Sequence, residues 1–258
     1  MSIDLDIDAE GIATITINRP ERRNALDAAH YAGLTDAWMR VRDDPAVRCA
    51  IVTGAGDKSF SAGADIKDFI GRRQELSDHW LTQKGQLLNR GLEVWKPVIA
   101  AVNGFCVGGG MTLLLATDIR IAVPHATFGL SEVKRGVIAG NGGTQRVMRQ
   151  LPHAIAMEML LTGDAIDAAR AERWGLVNAV VPPEELMPAA RAFARRIAAN
   201  APLAVQAAKE LGLRSRDMPL ADGLRLEQMV SRILQGSEDV KEGRAAFAEK
   251  RPPRFEGR

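Results

Sequence analysis

Ile3, Leu5 and Ile7 alternate with Asp4, Asp6 and Asp8, and the alternation resumes beyond Ala9-Glu10-Gly11 with Ile15 and Ile17 alternating with Thr14 and Thr16. A period of two around a turn-forming centre predicts a β-hairpin. The period then lengthens. Tyr31, Leu34, Trp38 and Val41 recur at helical spacing behind a capping Asp27, and Cys49 to Val52, closed by Thr53-Gly54, reads as a buried strand. A polar stretch from Lys67 to Arg90 reads as a helix whose apolar positions are Leu76, Trp80, Leu81, Leu87 and Leu88. It leads into a strand over Val98 to Val102, a glycine turn, and an apolar helix from Met111 to Ala116.

Further on, short strands are predicted over Ile119 to Val123 and near Thr127 to Phe128, then a loop through Gly136 to Gly143 and a helix from Ala154 to Leu161. Leu176 to Val181 reads as the last strand. After Pro182-Pro183 the pattern is wholly helical: Glu184 to Asn200, Ala204 to Leu211, Leu220 to Leu234 and Asp239 to Phe247. Strands interleaved with helices predict an α/β core, and the closing run of helices predicts a cap, arm or oligomer contact, with a boundary near residue 200.

Composition narrows the classes. At 258 residues and 46% hydrophobic, the chain can bury a sizeable core. Its 34 basic and 32 acidic residues are dispersed and leave a net charge of +2, with neither a basic helix nor the aromatic-basic interleaving of a nucleic-acid binder. The N-terminus lacks the basic-then-apolar profile of a signal peptide. Pro97 to Thr117 is uncharged, but Asn103 and the glycines interrupt it, so a buried strand, turn and helix explain it better than a membrane span. Cys49 and Cys106 lie in apolar runs without paired spacing, which predicts free thiols in a reducing, cytoplasmic setting. The four histidines show no metal-ligand spacing, and no metal or cofactor is predicted.

Candidate chemistry begins at Gly108-Gly109-Gly110, between the strand and the apolar helix. The first N–H groups of a helix lack intrahelical partners, and glycine lets an oxygen approach them. The triplet alone equally fits a tight turn. A second glycine loop, Phe60-Ser61-Ala62-Gly63-Ala64-Asp65, also follows a strand. Two such loops aimed at one thioester carbonyl would stabilise its enolate, each donor being worth about 3 kcal/mol of barrier.

Taken together, the motifs resemble the crotonase superfamily, the enoyl-CoA hydratase/isomerase family. The resemblance is carried by Asn18-Arg19-Pro20-Glu21-Arg22-Arg23-Asn24-Ala25-Leu26, Phe60-Ser61-Ala62-Gly63-Ala64-Asp65-Ile66-Lys67 and Lys96-Pro97-Val98-Ile99-Ala100-Ala101-Val102-Asn103-Gly104. It continues through Gly108-Gly109-Gly110, Phe128-Gly129-Leu130-Ser131-Glu132, Gly142-Gly143-Thr144-Gln145-Arg146, Leu161-Thr162-Gly163, Gly175-Leu176-Val177 and Glu249-Lys250-Arg251. It implies an α/β fold, a spiral of ββα units over residues 1–200 with the acyl-CoA site, and a helical segment over 201–258 that packs trimers, commonly two to a hexamer. Leu224, Met229, Ile233 and Leu234 become interface candidates, although an intrachain helix face fits their spacing equally.

By the same resemblance, Ala64 and Gly109 carry the oxyanion-hole amides, and coenzyme A is part of an acyl-CoA substrate. The substrate-binding positions are Ala25, Ala62, Asp65, Ile66, Lys67, Gly108, Gly140, Phe247 and Lys250. Lys67 falls near the coenzyme A phosphates, while Phe247 and Lys250 reach a coenzyme A held by a neighbouring subunit. Asp65 also fits a helix cap, Lys67 and Lys250 fit solvated charges, and Phe247 fits plain core.

Acid-base chemistry turns on two positions. Hydratases of the family carry one glutamate two residues beyond the triple glycine and another after the Phe-Gly motif. Glu132 fills the second; Thr112 stands at the first. A threonine hydroxyl can hold water but titrates too high to act as a base. One carboxylate suffices to move a proton between the α and γ carbons, so isomerisation of an enoyl-CoA fits most economically. Hydration, with Thr112 binding a water that Glu132 activates, is the close alternative. Decarboxylation, thioester hydrolysis and a non-catalytic acyl-CoA-binding oligomer remain open on the residues alone.

Overall fold

The acidic hairpin forms as its alternation requires: β1 (Ser2–Ile7) runs antiparallel to β2 (Ile12–Asn18), with Leu5 opposite Ile15. In the computed structural model, which describes residues 2–69 and 87–258, β2 then pairs in parallel with β3 (Cys49–Gly54). The larger sheet continues through β5 (Val98–Val102), β7 (Ile119–Ala122) and the short β10 (Ala179–Val180), in the order β1-β2-β3-β5-β7-β10. Parallel strands with both faces covered bury every side chain, which is why β3 and β5 read as unbroken apolar runs.

The chain repeatedly leaves this sheet for a smaller one. β4 (Ser59–Ser61), β6 (Phe105–Val107), β8 (Thr127–Gly129) and β9 (Ile166–Asp167) form it in that order. Two turns repeat one unit: β3 and β4 precede α2 (Ile66–Phe69), and β5 and β6 precede α3 (Gly109–Leu114). The result is a spiral of ββα units, the fold class that the motifs implied. Both cysteines are buried and free.

Helix α1 (Ala28–Asp43) starts where expected, with Asp27 accepting a hydrogen bond from His30 N at 3.0 Å. Its inner face buries Leu34, Trp38 and Val41. Helix α7 (Leu186–Ala198) lies on β3 and β5, and its inward residues Ala190 and Ala194 are small enough to let the helix come close. α8 (Pro202–Arg214), α9 (Leu220–Leu234) and α10 (Glu238–Glu249) follow.

Three expectations are corrected. The strand at Leu176 to Val181 shrinks to Ala179–Val180, because Leu176 N and Val177 N return to Ala171 O and close a turn behind α6 (Ala168–Arg173). The helix expected to reach Arg90 does not: Leu87 is extended, and Leu88–Arg90 is a single tight turn ended by Gly91 in the left-handed region. Its middle, with Leu76, Trp80 and Leu81, lies outside the described residues. Finally, β4, β6, β9, α4 (Gly143–Gln150) and α6 form where none was predicted, while α5 (His153–Thr162) matches. α4 was hidden by its polarity, burying only Gly143 and Val147.

Asn24 joins the first motif to the second strand layer. Fully buried, it donates to Ser59 O at 2.6 Å and Ala55 O at 3.0 Å and accepts from Arg19 N at 3.0 Å. It also adopts a left-handed φ of 54°, which asparagine tolerates better than most residues. Replacing Asn24 by Ala strips partners from three backbone groups, so urea unfolding should show a stability loss of about 2–4 kcal/mol.

Candidate active site

Two glycine loops meet at the carboxyl ends of β4 and β6. In the first, Leu26 N donates to Gly63 O and Asp65 N donates to Leu26 O, both at 2.8 Å, forming an isolated parallel bridge centred on Ala64. Because extended backbone turns successive amides to opposite sides, this pairing leaves Ala64 N–H facing away from Leu26. Arg19 fixes the loop from behind, its Nη1 lying 2.9 Å from Asp65 Oδ2 and 3.3 Å from Asp27 Oδ2.

In the second loop, Gly108 N donates to Gly129 O at 3.0 Å, and Gly109 opens α3. The first helical hydrogen bond there is Thr112 N to Gly108 O, so the Gly109 amide precedes the ladder. The loops touch backbone to backbone. A methyl group on Gly110 would stand 2.4 Å from Ser61 O, and one on Gly63 would stand 2.6 Å from Gly109 N. A methyl on Gly109 itself would lie 3.3 Å from Ala64 N, so the two expected amides are neighbours. The far end of α3 is held by buried Arg120, which donates to Leu115 O, Thr117 O and Leu176 O.

Glu132 enters from the tight turn Glu132–Arg135 that follows β8. Its Oε1 lies 3.6 Å from the position a Gly108 methyl would take, while its Oε2 is buried without a hydrogen-bond partner among the described residues. Burial pushes its carboxyl above the ordinary glutamate value; its own backbone amide and Arg135 only partly oppose this. Such a carboxylate is a stronger base than an exposed one.

Thr112 is buried, and its hydroxyl is committed. It donates to Gly109 O at 3.0 Å and accepts from Asn89 Nδ2 at 2.9 Å, while its methyl packs toward Ala139 and Gly143. Asn89 was not anticipated. A further residue, Tyr31, reads in the sequence only as one of the positions at helical spacing in α1. The structure leaves it half-buried, with its hydroxyl 3.1 Å from the position of a Gly109 methyl. Burial raises its pKa, the Glu132 carboxylate raises it further and Arg90 lowers it. The signal was a polar-tipped side chain in the first turn after the Asn24-Ala25-Leu26 motif.

The remaining candidates are more dispersed. Ala25 and Ala62 are half-buried beside the bridge, with Ala62 N donating to Arg23 O at 3.0 Å. The Asp65 side chain caps α2, accepting from Lys67 N at 3.1 Å, besides pairing with Arg19. Ile66 and Lys67 are exposed on α2, and Gly140 is exposed on the loop after Glu132. Phe247 and Lys250 stand exposed at the end of α10.

The family model described as Enoyl-CoA hydratase/isomerase matches residues 8–258. The chain is 45% identical over 257 residues to the (E)-benzylidenesuccinyl-CoA hydratase of Thauera aromatica, covering all of both chains. It is 43% identical to a carnitinyl-CoA dehydratase of Salmonella arizonae, covering 95% of each. An enoyl-CoA hydratase structure from Bacillus anthracis superposes with a TM-score of 0.93 at 36% identity, covering all of both chains. The chain belongs to the enoyl-CoA hydratase/isomerase family and acts on acyl-CoA thioesters.

The glycine contacts yield a paired prediction. Gly110→Ala drives a methyl into Ser61 O and should part the loops, lowering turnover at least about 100-fold, the loss typical of one misplaced oxyanion donor. Gly140→Ala, with nothing within 4 Å of the added methyl, should keep the wild-type melting temperature; calorimetry beside steady-state kinetics reads both.

Proposed function

We propose that the chain reversibly adds water across the double bond of a 2-enoyl-CoA thioester, with Glu132 as its acid-base residue. The observation that carries this reading is the buried Oε2 of Glu132, unpartnered among the described residues, on a carboxyl group beside the paired glycine loops. The names of the relatives, hydratase and dehydratase, support it further. Glu132 takes a proton from water as the water oxygen bonds to the β-carbon. The π electrons move onto the thioester oxygen, which the Ala64 and Gly109 amides hold as an enolate. Protonated Glu132 then delivers its proton to the α-carbon, restoring the carbonyl and the carboxylate. These steps balance without a metal or redox cofactor, coenzyme A being part of the substrate.

Isomerisation is the second reading, favoured by the commitment of the Thr112 hydroxyl hydrogen to Gly109 O. Glu132 would then carry a proton from the α to the γ carbon through the same enolate. In either case the loop residues Ala25, Ala62, Asp65, Ile66 and Gly108 line the coenzyme A and acyl moieties, with Gly140 at the pocket rim. Lys67 sits near the phosphates. Phe247 and Lys250 serve a neighbouring subunit within a trimer or hexamer.

A panel of 2-enoyl-CoA and 3-enoyl-CoA thioesters tests the assignment. Glu132→Gln should lose about 100- to 10,000-fold in turnover, the range for removing a general acid-base group. Undiminished turnover would overturn the mechanism, and no conversion by the wild type would leave a binding protein. The working form is ionised, and desolvation raises the folded pKa. The acid limb of kcat/KM should therefore fall above the ordinary value of about 4.3 and vanish in Glu132→Gln.

Self-association draws on α9, where Leu224, Met229 and Ile233 are 52%, 58% and 74% exposed and Leu234 is half-buried. Ile233→Asp should shift the sedimenting species from trimer or hexamer toward monomer. An unchanged species would place the contact elsewhere.

A further inference from the structure

Adding water to a β-carbon needs more than a base, because the attacking oxygen must be held with a lone pair facing the carbon. A single carboxylate fixes one hydrogen of that water and leaves the other unplaced. Thr112, at the position nearest the helix start, is poorly suited to place it: its hydrogen goes to Gly109 O, and Asn89 Nδ2 takes one of its lone pairs. A hydroxyl is also brought to the loops by Tyr31, 3.1 Å from where a methyl on Gly109 would stand.

Two contacts pin the start of α1 to the first glycine loop, and a third caps the helix itself. Leu26 bridges Ala64, Ala28 N donates to Asp68 Oδ2 at 3.1 Å, and Asp27 caps the helix through His30 N at 3.0 Å. Tyr31 lies in the first turn beyond these anchors, with its own amide on Asp27 O at 3.0 Å. Its ring packs on the core, so the hydroxyl is set in position relative to both amides and within electrostatic reach of Glu132. The phenol is both donor and acceptor, and burial keeps it neutral through the working pH range.

On the hydration reading given above, we propose that Tyr31 Oη holds the oxygen that is added to or eliminated from the β-carbon. The water donates one hydrogen to the Glu132 carboxylate and the other to Tyr31 Oη, which aims a lone pair at the β-carbon. When the C–O bond forms, Glu132 takes its proton and passes it to the α-carbon, while Tyr31 keeps its own proton throughout. In the reverse direction Glu132 takes the α-proton and gives it to the departing hydroxyl, whose own hydrogen stays hydrogen-bonded to Tyr31 Oη throughout.

Tyr31→Phe removes the hydroxyl and little else. With an enoyl-CoA that the wild type hydrates, kcat should fall roughly 10- to 100-fold while KM stays within about twofold. Exchange of the α-protons of the corresponding saturated acyl-CoA into D2O should persist, because no water oxygen bonds to carbon in that step. Exchange falling in parallel with hydration would assign Tyr31 to the enolate instead and overturn the proposal. Unchanged hydration would overturn it too, as would loss of the cooperative melting transition, which would make the hydroxyl a folding element. A wild type that isomerises but hydrates nothing would defeat the hydration reading, and this role with it. Hydration abolished by Glu132→Gln but untouched by Tyr31→Phe would defeat the Tyr31 role alone.

Discussion

Everything at this site depends on two segments of main chain coming closer than any side chain permits. Ser61 O and Gly110, like Gly63 and Gly109 N, are separated by less than the room a methyl group would occupy. Backbone at that distance is costly unless its polar groups are satisfied, and here each loop is tied on its outer side. The first pairs with Leu26 and Arg23, and the second pairs with Gly129. Among the described residues, that outer lacing takes up neither the inward amide of Ala64 nor the helix-start amide of Gly109. The same constraint that forces glycine therefore also selects which N–H groups are left for a ligand.

The charges follow a complementary division. Acidic groups that support the loops are compensated: Asp65 and Asp27 share Arg19, and Asp118 meets Lys209 at 2.7 Å. Glu132 is treated differently. It is half-buried, one of its oxygens has no partner among the described residues, and the Arg135 charge relieves it only in part. A carboxylate destabilised in this way gains most when it takes a proton, which is the property a proton carrier requires.

Much of this could be read along the chain. The alternation of β1 and β2, the Asp27 cap, and the apolar β5 followed by the triple glycine each carry a period or a turn residue with a local physical cause. α9 spans the predicted Leu220 to Leu234. The misses share a different origin. α4 is polar because much of its surface is exposed, β9 is too short for a period to register, and Leu176 and Val177 are apolar because they plug a turn. At the site, Glu132 and the glycines were found through motifs, whereas Asn89 and Tyr31 were not. Asn89 matters because it meets a residue 23 positions away, and Tyr31 shares a stripe with true core residues, so spacing alone could not separate its ring from its hydroxyl.

The parts that grip the thioester and the part that moves the proton rest on different pieces of chain. Ala64 and Gly109 belong to mutually locked loops, while Glu132 hangs from a separate four-residue turn beyond β8. Such a layout is modular: the side chains of Tyr31 and Glu132 take no part in the backbone contacts that form the cradle. A scaffold of this kind can drift between reactions that share an enolate by retuning its periphery, with the costly geometry inherited intact.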